Sequence, residues 1–117
     1  MNYIKKRIAA FSFAFKGVFY LFTHEAHAAI HLLAAIAVIV AGFLFKISPT
    51  EWCIICICIG SVFMAEAFNT AIEKLADKIS SERDPLIGIA KDVSAAAVLL
   101  FAIATIVIAA IIFIPKF

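Results

Sequence analysis

Three apolar stretches decide what this chain can fold into. They cover about residues 28–45, 52–72 and 93–114. Each approaches the ~20 residues with which a helix crosses a bilayer, and each is too long for an ordinary strand. Inside hydrocarbon a backbone must satisfy its own hydrogen bonds, which a helix does within one segment. The composition agrees: 66% of the 117 residues are hydrophobic and 15% are charged, against about 45–50% and about 25% in soluble domains. The expectation is an all-α integral membrane protein, one domain over residues 1–117, with no room for a separate soluble one. A net charge of +2 is too small to point to nucleic acid.

The basic residues inform by position. Lys5, Lys6, Arg7 and Lys16 precede the first span, and Lys74, Lys78, Arg83 and Lys91 lie between the second and third. Only Lys46 and Lys116 fall on the other side. That asymmetry predicts a cytoplasmic N-terminus, a cytoplasmic loop over 73–92 and a C-terminus outside. Residues 4–22 form a unit of their own. Ile8, Phe11, Phe15, Val18, Phe19 and Phe22 share one helical face, Lys5, Lys6 and Lys16 another, and Phe13 breaks the pattern. A basic helix with an aromatic apolar face lies in the interface plane. The competing reading is a signal peptide, with Ala26-His27-Ala28 as its cleavage site. Lys16 interrupts its would-be apolar core, and His24 and Glu25 stand where small neutral residues belong. Ser48-Pro49-Thr50-Glu51 reads as the start of the second helix. The run from Ser80 to Pro85 breaks that helix, and helix resumes by Ile87.

Polar residues nevertheless continue the second apolar stretch. Glu66, Asn69 or Thr70, Glu73 and Asp77 recur at helical spacing and fall on one face. A charged side chain at the bilayer centre costs roughly 2.5–3.5 kcal/mol on insertion scales, so the stripe reads as an active site near a membrane surface. Glu66 lies deepest, no cation of its own span reaches it, and a desolvated glutamate can serve as a general base. Neighbouring carboxylates at a membrane surface, among them Glu25, Glu73 and Asp77, can hold Mg²⁺, which prefers oxygen ligands and substrate phosphates. For Asp77 and Glu82 an ion-pair ladder with Lys74 and Lys78 is the plainer alternative. Lys91 offers phosphate oxygens a point charge, and Asp92 can accept from a ribose or position Lys91. An interface anchor with a helix cap is the alternative there.

Other candidates carry less. Cys53, Cys56 and Cys58 do not converge on a helix and read as small buried apolar residues. His27 and His31 stand four apart, a spacing seen in zinc sites, but lack the intervening glutamate pattern. Hydrogen-bonded interfacial histidines are the plainer reading. Neither familiar glycine-rich phosphate loop is present, nor a G-x-S-x-G elbow.

The stretch from Glu66 to Glu73, followed by Asp77, resembles the E-x-x-N-[ST]-A-I-E-x-x-x-D signature of the prokaryotic diacylglycerol kinase family. Ala90-Lys91-Asp92 resembles that family's A-K-D segment, and Phe15-Lys16-Gly17 with Glu25 resembles its N-terminal surface helix. The likeness covers nearly the whole chain. It implies a small membrane lipid kinase with an amphipathic surface helix and three transmembrane helices, set in the bacterial inner membrane. It implies ATP and Mg²⁺ as cofactors and a homotrimer whose sites are shared between subunits. By the same resemblance Glu66 is the base that takes the lipid hydroxyl proton, Glu25 and Glu73 hold magnesium, and Asn69 supports both. Lys91 and Asp92 contact ATP, as do Lys6 and the turn of Glu82, Arg83 and Asp84.

The family has a diacylglycerol branch and an undecaprenol branch. His31, the Glu51-Trp52 pair and Ala95 resemble the second, whereas the diacylglycerol branch places a serine at the position of Ala95. Ala29 departs from both, which often carry a basic residue there. Undecaprenol is thus the expected substrate, with diacylglycerol the alternative. A non-enzymatic assembly protein would not need these polar residues at fixed spacing. An ion carrier could use Glu66 but would not need Lys91 and Asp92.

Overall fold

A computed structural model describes residues 2–80 and 84–117. Among them are four α-helices and a final 3₁₀ turn: α1 Tyr3–His24, α2 Ala26–Leu44, α3 Pro49–Ile79, α4 Pro85–Phe113, and Ile114–Lys116. No strand occurs among these residues. Three segments, Ala26–Leu44, Pro49–Ile79 and Pro85–Lys116, are long and apolar enough to cross a membrane. The chain is an all-α integral membrane protein, as its sequence led one to expect.

Local chemistry sets the helix ends. At Ser48 the expected start is a capping box: Ser48 Oγ accepts from the Glu51 N–H at 3.2 Å, and Glu51 Oε1 accepts from the Ser48 N–H at 2.9 Å. Before α4, Asp84 Oδ1 accepts from the N–H groups of Leu86 at 2.9 Å and Ile87 at 3.2 Å. Pro85 then fills the first helical position, where its missing N–H costs nothing. Helix therefore resumes two residues ahead of Ile87. At the end of α2, Lys46 takes φ 53°, the left-handed conformation that lets a helix close. The Ile47 N–H then donates to Gly42 O at 3.1 Å.

α3 is the axis of the molecule. It packs along α4 and against α2, while α1 touches α2 and α3. Its 31 residues rise roughly 46 Å, beyond the ~30 Å of hydrocarbon, so its last turns leave the apolar layer. Ile47, Ile55 and Ile112 form a buried cluster with Trp52, Phe45 and Phe113 against it, all at one end of the bundle. Gly42 belongs to this packing: a Cβ there would stand 2.6 Å from the Trp52 ring. At the other end only the last turns of α1 join the bundle. Leu21 is buried, and Phe22 meets Phe63 edge to face at 5.0 Å. The remaining aromatic residues of α1 are exposed. A single residue, Glu25, separates α1 from α2, and its extended backbone (φ −109°, ψ 113°) turns the corner.

Candidate active site

Glu66 lies on the face of α3 turned into the bundle and is 3% exposed. Burying a carboxylate needs a partner, and here it comes from another helix. His31 of α2 brings Nε2 to 3.2 Å from Glu66 Oε1. The spacing of His27 and His31 gave no hint of this contact. The usable signal was different: an ionisable group inside a membrane pairs with another, and His31 is the only ionisable side chain within the first apolar stretch.

One turn on, Asn69 is fixed from α4. Ser94, which is buried, donates from Oγ to Asn69 Oδ1 at 2.7 Å. With its oxygen taken, the amide keeps its NH₂ group to donate. Nothing in the sequence singled out Ser94, because the contact exists only once α3 and α4 pack side by side.

The polar ends of α3 and α4 meet beyond the apolar stretches. Lys91 donates from Nζ to Asp77 Oδ1 at 2.8 Å. That hydrogen bond, helped by the charge, holds the Asp77 carboxyl below the usual aspartate range and lifts the Lys91 ammonium above the usual lysine range. Asp77 thus pairs with Lys91, not with Lys74 or Lys78, and the residue that positions Lys91 is Asp77 and not the adjacent, exposed Asp92. Lys91 also feels the charge of Glu73. Lys74 lies over the Tyr20 ring, 5.6 Å from its centroid, and feels Glu25 and Asp77. These contacts draw the α1–α2 corner, the last turns of α3 and the first turns of α4 to one place.

Glu25 and Glu73 are both half-buried, and neither makes a close ion pair among the described residues. Mg²⁺ takes one or two carboxylates and completes its shell with phosphate oxygens and water. Two unengaged carboxylates on different elements suit that chemistry. The other expected residues are less closely joined. Lys6 is exposed near the far end of α1, and no side-chain contact links it to the site among the described residues. The Asp84 carboxylate caps α4. Glu82 and Arg83 lie outside the described residues. Ala95 is exposed on α4, one position past Ser94. The ensemble offers a buried carboxylate held from a second helix, an oriented amide, two free carboxylates and a lysine.

The family described as Prokaryotic diacylglycerol kinase matches residues 12–113. The undecaprenol kinase of Bacillus subtilis is 38% identical over 115 residues, which cover 98% of this chain and 94% of that protein. The diacylglycerol kinase of Synechocystis sp. is 31% identical over 109 residues, covering 92% of this chain but 62% of that longer protein. On a match that runs through all four helices, the chain belongs to the prokaryotic diacylglycerol kinase family.

Proposed function

We propose that this protein, a single lipid-kinase domain over residues 1–117, transfers the γ-phosphoryl group of ATP to the hydroxyl of undecaprenol. The observation that carries the reading is the buried Glu66, held by His31 at membrane depth, two turns from the polar cluster of Glu73, Asp77 and Lys91. The choice of acceptor follows the relative named for undecaprenol, which is matched more fully and at higher identity than the one named for diacylglycerol.

The acceptor enters sideways from the bilayer, its tail in hydrocarbon and its hydroxyl at Glu66. His31 holds Oε1, so Oε2 is left to take the hydroxyl proton as the new bond to phosphorus forms. The bond to the bridging oxygen of ATP breaks and ADP leaves. Asn69, oriented by Ser94, donates from its NH₂ group toward the reacting oxygens. Lys91 offers its ammonium to phosphate oxygens, and Asp77 keeps it aimed before ATP arrives. Lys6, Glu82, Arg83, Asp84 and Asp92 are assigned to ATP by family likeness alone. Glu25 and Glu73 would hold Mg²⁺, which spreads the charge of the transferring phosphoryl group. In this reading the N-terminus and the polar cluster face the cytoplasm across the bacterial inner membrane. The protein works as a homotrimer that shares sites between subunits.

The test is initial rates with labelled ATP, undecaprenol and diacylglycerol offered in parallel micelles of one detergent. The expected result is a higher kcat/KM for undecaprenol, and a narrower gap in Ala95→Ser. Preference for diacylglycerol by the unmodified protein would overturn the choice of acceptor. No turnover of either would overturn the assigned reaction.

A further inference from the structure

Next to the Glu66–His31 pair, α2, α3 and α4 part around a cavity of about 150 Å³. His31 forms part of its wall. Beyond His31 the walls are nearly all apolar and mostly small: Ala35 from α2, Cys58 and Val62 from α3, Ala102 and Ala109 from α4. The hydroxyl of Thr105, also in the wall, is buried and has no hydrogen-bond partner among the described residues. Packed interiors leave few voids larger than a water molecule. The exposed Ile106 is also in the wall, so this cavity opens at the helix surface, and its space would take a guest of about benzene's size.

The position of the cavity matters more than its size. Val62 stands one helical turn from Glu66 on the same helix. From Val62 to Ile55, the last α3 residue in the wall, is seven residues, or roughly 10 Å of rise. A chain whose hydroxyl sits at Glu66 therefore reaches the cavity with the carbons nearest that hydroxyl. In a polyprenol those carbons are five-carbon branched units with no polar atom. In a diacylglycerol the same depth holds ester groups. Beyond His31 the wall offers those esters one donor, the Thr105 hydroxyl, so at least one of two carbonyls is left unbonded, at a cost of roughly 1–3 kcal/mol by protein mutational data.

We propose that this cavity is the acceptor-chain subsite, and that it takes the first isoprene unit of the alcohol while His31 joins it to the base. The inference rests on the kinase reading and deepens it, by naming where the chain is recognised and why an ester-free alcohol suits the place. The alanines of the wall leave room for a methyl branch that larger side chains would displace.

A binding readout and a kinetic one test this separately. A prenyl alcohol with a diazirine on its first isoprene unit is photolysed with the intact protein in micelles, with and without excess undecaprenol. Labelling is expected on cavity residues such as Ala35, Cys58 and Ala102, and competed by undecaprenol. Ala102→Leu fills the space and is expected to raise KM for undecaprenol about tenfold, with KM for ATP changed less than about twofold. Ala35→Val, a smaller addition, moves KM the same way by less and serves if the first variant does not fold. Label confined to outward residues such as Ile103 and Val107, or an unchanged KM in a folded variant, would overturn the subsite. So would label on the cavity that undecaprenol does not compete, since another lipid or a second copy would then be its occupant. Photolabelling needs binding and not turnover, so it still decides the subsite if the unmodified protein phosphorylates neither lipid and the kinase reading falls.

Discussion

Where α2 ends and α3 begins, Ile47, Trp52, Ile112 and Phe113 close on one another, and Lys116 donates to both Glu51 Oε2 at 3.0 Å and Ile112 O at 3.1 Å. At the opposite end the same helices hold Glu66, Asn69 and Lys91 on single hydrogen bonds, beside two carboxylates with no close ion pair among the described residues, and the cavity lies between the ends, reaching from His31 to Ile55 of the aromatic cluster. The aromatic end spends its side chains on fixing how the helices lie. The polar end leaves room and keeps donors and acceptors free for molecules that arrive later. Stability and chemistry are thus separated along the helix axes, so substitutions at each end should fail in different ways.

The largest effect is expected at the base. Glu66→Gln keeps the shape and still accepts from His31, so the protein should unfold at nearly its usual temperature. Turnover should fall about 10³-fold, within the range for losing a general base. Near-normal rates would remove the distinction between the two ends. Trp52→Ala is the opposite case. It should cost about 3–5 kcal/mol of stability, as aromatic-to-alanine changes in cores do. Activity per folded molecule should stay within about threefold, since Trp52 touches nothing at the polar end. Thermal unfolding in micelles, paired with rates corrected for folded fraction, checks both halves.

His31→Leu should lower kcat about tenfold by leaving the buried Glu66 without its donor. His31→Gln, which can still donate, should recover much of the loss. Equal losses in both variants would mean that the ring matters as packing and not as a hydrogen-bond donor. The smallest effect belongs to Asp77→Asn. The depressed carboxyl of Asp77 stabilises the fold above the ordinary aspartate pKa of about 3.9, and that contribution fades as pH falls through the depressed value. The raised ammonium of Lys91 contributes below the ordinary lysine pKa of about 10.4, and its share fades as pH rises through the raised value. Both groups are exposed to water, which screens the pair. Unfolding midpoints of the variant and the unmodified protein should therefore nearly coincide between those limits. A large gap at neutral pH would show that the polar end also bears on stability.

The helices were legible because their signals are local. Ser48 to Glu51 reads as a helix start and caps one, and the break ahead of Pro85 lies where expected. The spacing of Glu66, Asn69 and Glu73 already placed them along one helix. Their partners were not legible, because each comes from a different helix and depends on packing that no periodicity reports. His31 meets Glu66 across α2 and α3, Ser94 meets Asn69 across α3 and α4, and Lys91 passes over its neighbour Asp92 for Asp77. The cavity was hidden for the same reason: alanines on α2 and α4 become its walls only when the helices set them opposite one another.

The single-residue joint at Glu25 gives α1 the mechanics of a lever. Its 22 residues make an arm of roughly 33 Å, largely exposed along its length and held chiefly near Leu21 and Phe22. Were such an arm to swing about its joint, the far tip would travel furthest and the fulcrum least, so the Glu25 carboxylate sits where any swing of α1 displaces it least.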